Sequence, residues 1–420
     1  MGSCDSASSP WQSNLMAKTA KTTTVGARAT VLGQSRNLKM ASSAHAYVRG
    51  NALKFYEWLD TTDNSKIPQG PPVWICGDCH VGNLGPVADK DGKIDILIRD
   101  LDQTVIGNPA HDLIRLGLSL AMAARGSDLP GVTTARMLEE IMLGYEEALT
   151  DDMPAKSVRR PECVQFVMRQ AVERNWENLA KERIEDTTPT IPLGKRFWPL
   201  SAAERAEIDR IFATEEARRL VTTLGSRKNS ARVQVLDAAY WMKGCSSLGR
   251  LRFAILLGVG KNYAKKGGLC LIDIKEAVKS AAPRNSDAPM PRDNAMRVVE
   301  GARHLSPALG ERMLAMRFLD RGAFMRELLP QDLKLEIDEI SREEAMKAAH
   351  YLAMVVGRAH ARQMDAATRA KWRDELSRNR PANLDAPGWL WSSIVELVAS
   401  HETAYLEHCR RYVADPALAA

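Results

Sequence analysis

Asp78 and Asn83 share one turn, Cys76-Gly77-Asp78-Cys79-His80-Val81-Gly82-Asn83-Leu84-Gly85. The apolar run Ile94–Ile98 reads as a strand and delivers Asp100 and Asp102 just past its end. A Gly-x-Pro loop, Gly107-Asn108-Pro109, then leads to Asp112 at the head of an apolar helix. A carboxylate in a turn can take the proton from a hydroxyl, and an amide with a second carboxylate offers the hard oxygen ligands that magnesium prefers. Such a set suits phosphoryl transfer, which depends on positioning and charge neutralisation. A lone Asp in a turn is most often a cap or an Asx-turn. Asp78, Asp100 and Asp112 at these spacings, with Asn83 and the Gly-x-Pro loop, are harder to assign to local turn chemistry alone.

The same turn also spells C-x-x-C-H, from Cys76 to His80. That string is used for covalent haem attachment and contains a bare C-x-x-C, a mark of zinc or redox sites. Haem attachment goes with export, and no secretory signal is legible. A zinc site wants a second Cys or His pair at close spacing, and the sequence offers none.

A second block with chemical content begins at Gly244. Gly244-Cys245-Ser246-Ser247-Leu248-Gly249 is a glycine-flanked turn with two hydroxyls, followed by an apolar strand to Val259, a charged hairpin tip, and a strand from Leu269 to Glu276 that carries Lys275. Backbone N–H groups and hydroxyls at Gly244, Ser246, Ser247 and Gly249 can cover phosphates, and a strand lysine can neutralise them. The plainer reading of the turn is a hairpin connection.

Elements that could hold these groups follow from periodicity. Ala44–Leu59 reads as one amphipathic helix. Arg49 within it is read as pairing with a carboxylate, with a phosphate contact as the alternative. Leu113–Ala124 is an apolar helix. Residues 131–150, 161–184 and 202–224 read as helices with solvated charged faces, and residues 189–200 as a proline-rich loop. Glu300 sits on a probable helix, Ala323–Leu329 reads as a strand, and Met346–Met364 is a strong helix carrying His360. Trp389–Tyr412 closes the chain as a helical pair. Residues 1–40 read as a flexible basic tail, rich in Ser, Thr, Ala and Gly with Asp5 as their only acid. Met1-Gly2-Ser3-Cys4 formally matches a lipidation pattern, and the acid-poor leader also resembles an organelle transit peptide.

The chain has 420 residues, 45% hydrophobic and 26% charged, with a net charge of +6. That length allows two or three domains around a large core. The mild positive charge fits anionic ligands such as nucleotides and does not by itself indicate nucleic-acid binding. Seven scattered cysteines point to free thiols in a reducing compartment, hence a cytoplasmic protein. No apolar run is long enough for a membrane span. Oligomeric state is not legible.

Gly-Asp-x-His-x-x-Asn, a strand ending in Asp, and Gly-x-Pro-x-x-Asp-Leu together resemble the catalytic core of the aminoglycoside phosphotransferase and choline kinase branch of the protein-kinase-like fold. The resemblance implies Asp78 as catalytic base, Asn83 and Asp100 as metal ligands with Asp102 beside them, and Asp112 as the acid that braces the loop. The Gly244–Gly249 turn and Lys275 are similar to a glycine-rich loop and phosphate-binding lysine, with Glu300 as the acid pairing with Lys275. The order is inverted relative to kinases, since Asp78 precedes the glycine turn. The reading is therefore an α+β, protein-kinase-like two-lobe fold, circularly permuted, with a helix-rich large lobe. It divides as a tail at 1–40, large-lobe residues 41–235, a small nucleotide-binding lobe at 236–335, and the helical remainder at 336–420. His360 is then expected beneath the Cys76–Gly85 loop. Nearly the whole chain beyond the tail also resembles the bacterial family called domain of unknown function 2252, through Tyr47-Val48-Arg49-Gly50, Gly77-Asp78-Cys79-His80, Asp100-Leu101-Asp102, Ser247-Leu248-Gly249, Lys275-Glu276 and Arg358-Ala359-His360-Ala361. The implied function is ATP- and magnesium-dependent phosphoryl transfer to a small molecule. The alternatives are AMP transfer, a nucleotide-binding pseudoenzyme, and a C-x-x-C metal or haem protein.

Overall fold

The structure, a computed structural model, describes residues 25–413 apart from 151–159, 185–189, 224–226, 245–247, 262, 264–267, 286, 336–340 and 379–385. Two small antiparallel sheets carry the first motif. Strand β1 (Val73–Ile75) precedes the Cys76–Gly85 turn, β2 (Leu84–Ala88) and β3 (Ile94–Ile98) form a hairpin after it, and β4 (Val105–Gly107) returns to pair with β1. Gly77 makes the turn possible. Its φ is +73°, and a Cβ there would stand 2.2 Å from the Gln103 carbonyl oxygen, so only glycine fits without moving backbone.

Helices enclose these sheets in one large hydrophobic core. Ala110–Gly126 runs from the end of β4 with Leu113, Ile114, Leu116 and Leu120 buried. Gly131–Glu147 packs on Arg342–Ala361 at backbone distance, where a Cβ on Gly144 would lie 2.1 Å from the His350 carbonyl oxygen. Gly388–Tyr412 adds Leu390, Ile394 and Leu397. The large core therefore draws on both ends of the chain.

The second body is an antiparallel six-stranded sheet with strand order β5-β6-β7-β8-β10-β9. β5 (Phe197–Trp198) sits at the edge, followed by β6 (Val233–Trp241), β7 (Arg252–Val259) and β8 (Leu269–Glu276) as a meander. The helix Asn294–Leu305 then intervenes before β9 (Met313–Phe318) and β10 (Arg321–Leu328). β7 is buried along its whole length because both faces are covered. Ile208, Leu220 and Val221 pack on Phe253, Ile255 and Leu257, while Leu179 and Ile184 pack near Leu256 and Leu271 on the other side. A strand covered on both faces reads as a continuous apolar run, as this one does.

Several expectations about elements change. Ala44–Leu59 is two helices, Ala44–Gly50 and Ala52–Thr61, because the Asn51 side chain caps the second by accepting from Lys54 N at 3.1 Å. Residues 161–184 form Glu162–Glu173 and Trp176–Ile184, and residues 202–224 form Ala202–Phe212 and Glu215–Thr222, the latter capped by Thr214. The final pair is one helix, Gly388–Tyr412. Helices between residues 176 and 222, grouped by sequence with the large lobe, pack on the six-stranded sheet instead. Part of the region read as a flexible tail is also structured. Arg28–Met40 is a helix whose Leu32 enters the sheet core and whose Arg28 pairs with buried Glu204 at 2.7 Å. The lipidation and transit readings concern residues 1–24, which lie outside the described residues. Among the described residues no helix is long and apolar enough to cross a membrane.

Candidate active site

The first motif and Lys275 meet where the small sheets abut the six-stranded sheet. Lys275 ends β8, and its Nζ lies 3.7 Å from Asp100 Oδ1 and in ion-pair contact with Asp102 Oδ2. Asp102 Oδ1 is buried with no hydrogen-bond partner among the described residues. Asp100 keeps its side chain 45% exposed, so it remains reachable from solvent. Burial works against its charge, yet Lys275 and Arg326 outweigh burial and hold Asp100 well below the usual carboxylate range. Burial and the adjacent Asp100 push Asp102 up.

Asn83 is tied to this corner through its backbone, since Arg99 N donates to the Asn83 carbonyl at 2.7 Å, one residue before Asp100. Its side-chain Nδ2 donates to the Asp78 carbonyl at 2.9 Å. The orphaned Asp102 oxygen and the accessible Asp100 are hard oxygen donors of the kind magnesium prefers, while the Asn83 amide faces the Asp78 carbonyl. The enclosed space at this corner is only about 10 Å³, room for roughly one water-sized occupant.

Asp112 braces the turn from below. Its Oδ2 accepts from Cys76 N at 2.7 Å and its Oδ1 from Gly77 N at 3.0 Å. His360 lies under the same loop with Nε2 at 3.2 Å from Asp112 Oδ2, and its Nδ1 is 2.9 Å from the Tyr145 hydroxyl. Trp372 Nε1 donates in turn to Tyr145 at 3.1 Å. Asp78 is held from the side, with Arg115 Nε donating to its Oδ1 at 2.8 Å. Burial raises the Asp78 pKa against the lowering by Arg115, which makes it a stronger proton acceptor than an exposed Asp.

The glycine turn joins β6 to β7, directly beside the Lys275 strand. Gly244 and Gly249 both take positive φ, +102° and +96°; Ser246 and Ser247 lie outside the described residues. Cations crowd this side. Arg252 pairs in two-pronged fashion with Asp273 at 2.8 and 2.6 Å, and Arg326 approaches Asp273 at 3.5 Å. Burial, with Arg183 and Arg252 nearby, pushes Lys243 well below its usual range.

Glu300 requires correction. Its carboxylate pairs with Arg303 at 2.6 Å, while Lys275 meets Asp102. The inward face of the Asn294–Leu305 helix carries Arg297, Val298, Gly301 and Ala302, and Glu300 falls off that face. Arg297 is the residue the sequence reading missed. Its guanidinium donates to the carbonyls of Asp102, Thr104 and Val278, fixing the segment after Asp100. Helical spacing from Val298 and Ala302 could have placed it inward. Arg49 is the other correction: it has no carboxylate partner among the described residues.

The family described as "Uncharacterized protein conserved in bacteria (DUF2252)" matches residues 28–411. The chain belongs to this family. No curated protein and no solved structure matches the chain. In this DUF2252 member the helix Arg28–Met40 falls inside the matched region.

The cysteines of the turn are core residues. Cys76 and Cys79 are free and buried. The contact with Cys79, together with burial, raises the Cys76 thiol well above its usual range. The same contact lowers the Cys79 thiol, but burial together with the Asp112 and Asp78 carboxylates outweighs it and the net shift is upward. No group of three His, Cys, Asp or Glu side chains with metal-binding geometry occurs among the described residues. Replacing both with Ser is expected to leave metal content unchanged and most turnover intact. Stoichiometric zinc or iron lost in the double variant, measured by elemental analysis, would reverse the assignment of this loop.

Proposed function

We propose that this protein transfers the terminal phosphoryl group of ATP, with magnesium, to a hydroxyl or amine of a small molecule, in a permuted kinase-like arrangement. The observation that carries the reading is the meeting of Lys275 with Asp100 and Asp102, which lie far apart in sequence. In kinases a glycine-bearing loop precedes a strand lysine, and that lysine faces an acid that holds magnesium. The reading is supported by the order of the meander β6-β7-β8, in which the segment that holds Gly244 and Gly249 precedes the Lys275 strand, and by the acids that follow β3.

Asp78 takes the acceptor proton at its Oδ2, while Arg115 holds Oδ1. Lys275 neutralises phosphate oxygens, aided by the neighbouring guanidinium groups of Arg252 and Arg326. Asp100, Asp102 and Asn83 hold magnesium, which when bound screens the charge of the phosphates. Since the corner between Lys275 and the acids is nearly filled, nucleotide entry requires Lys275 to leave Asp102 and the two bodies to part.

The test is a thermal-shift titration with ATP and magnesium, followed by mass analysis of products from a metabolite pool. Nucleotide that binds only the folded state raises the melting temperature by mass action. Lys275→Ala is expected to remove most of that rise. An equal rise in the variant would take Lys275 out of the site, and a product heavier by AMP would replace phosphoryl transfer with nucleotidyl transfer.

A further inference from the structure

We propose that the acceptor is anionic, a hydroxyl- or amine-bearing compound with a carboxylate or phosphate group, and that Arg49 binds that group. The inference rests on the phosphotransferase reading for the word acceptor, but the anion site stands on its own geometry. Asp78 Oδ1 is occupied by Arg115, which leaves Oδ2 to face His80, while the carboxylates of Asp100 and Asp112 also act on Asp78. His80 Nε2 stands 3.9 Å from Oδ2, beyond hydrogen-bond range. The other ring nitrogen of this buried histidine, Nδ1, has no partner among the described residues. Arg115 is also buried, and its Nη1 has none either, although Nε and Nη2 are both engaged.

Arg49 completes the group. It ends the helix Ala44–Gly50, and Arg115 anchors that helix end by donating to the Val48 carbonyl at 2.6 Å. The Arg49 guanidinium lies against the Asp78 loop, so that a Cβ on Gly82 would meet its Nη2 at 2.7 Å and its Cζ at 3.0 Å. No hydrogen bond or ion pair is made by this half-buried guanidinium among the described residues. An arginine fixed beside a catalytic loop without a carboxylate, flanked by a buried histidine and a second arginine with unused donors, is a built receptor for an oxyanion. Arg49, His80 and Arg115 lie outside the six-stranded sheet that carries Lys275.

The experiment uses the full chain in a Lys275→Ala background, which removes the nucleotide-phosphate side as a competing anion site. Thermal-shift titrations are run with inorganic phosphate and, separately, with glycolate. Saturable stabilisation by at least one of them is expected, phosphate if the acceptor is a phosphate monoester and glycolate if it is a carboxylate. Adding Arg49→Ala should raise the half-saturating concentration about tenfold or more, as expected for a lost charge-assisted hydrogen bond. Arg49→Lys should recover part of the loss. Gly82→Ala should weaken binding as well, because the new methyl displaces the guanidinium. Arg49→Ala loses no ion pair, so its melting temperature without anion should match its parent. Absence of saturable binding, or half-saturation unchanged by Arg49→Ala, overturns the proposal. Nucleotide binding by the unmodified chain is read separately, so Arg49-dependent anion binding without nucleotide binding would sink only the phosphotransferase reading.

Discussion

Asp78→Asn is expected to lower turnover by about 10²–10⁴-fold, the range for loss of a positioned general base. Asn keeps the shape of the side chain and an oxygen for Arg115 Nε, which stands 2.8 Å from Asp78 Oδ1. It loses the ability to take a proton. Binding should survive, because the cations proposed to bind the phosphates lie on β7, β8 and β10 and not on this loop. The ATP–magnesium thermal shift of the variant should therefore equal that of the parent while ADP formation collapses, the signature of a group that acts in the transition state. The pH profile carries a second check. The base works only when deprotonated, and burial raises its pKa. Turnover should then fall with acidification at a pH above the ~3.9 of an unperturbed Asp. Retained turnover in Asp78→Asn would remove this residue as the base.

Asp112→Ala is expected to produce a larger loss of stability than any single change within the loop it braces. The carboxylate is buried and accepts from Cys76 N and Gly77 N while contacting His360 Nε2. Without it two backbone donors are left in a dry core with no acceptor, and His360 loses its charged partner. Unsatisfied buried donors and a broken buried pair together cost on the order of 3–5 kcal/mol. That is a large part of the total stability of an ordinary domain, about 5–15 kcal/mol. Asp112→Asn keeps one acceptor oxygen and should lose markedly less. Urea denaturation midpoints for both variants test the ranking, and equal midpoints for Asp112→Ala and the parent would show that the brace carries no stability.

The first motif was legible because its acids stand at turns beside short apolar strands, where few local roles compete for them. Asp112 and His360 were placed by resemblance, and the structure brings both to the loop. Other features were hidden by specific physical causes. β6 reads Val-Gln-Val-Leu-Asp-Ala-Ala-Tyr-Trp, and a bulge between Val235 and Asp237 breaks its alternation. β9 contains Met, Leu, Ala and Arg, which favour helix, and becomes a strand only by pairing with β10. The helix Arg28–Met40 has few inward apolar residues, so its composition resembles a tail. Its attachment comes from long-range contacts, Arg28 with Glu204 and Asn37 with His408, that no local pattern encodes. Glu300 was assigned to the correct helix and the wrong face.

The brace under the Asp78 loop also sets a schedule for the chain during synthesis. Asp112 and His360 are 248 positions apart, which a ribosome adding about 5–20 residues per second covers in roughly 12–50 s. Through that interval the nascent loop has its acids but lacks the histidine beneath it. The Arg342–Ala361 helix that should cover Gly131–Glu147 is also still unmade. The six-stranded sheet has no such wait. Its strands, from Phe197 to Leu328, form one continuous stretch of chain, and the meander pairs neighbours in sequence. The sheet can therefore assemble while the first helices remain an open apolar surface, exposed to chaperones and to self-association. The last quarter of the chain closes that surface and the loop together, so an incomplete translation product would carry the reactive residues without the fold that positions them.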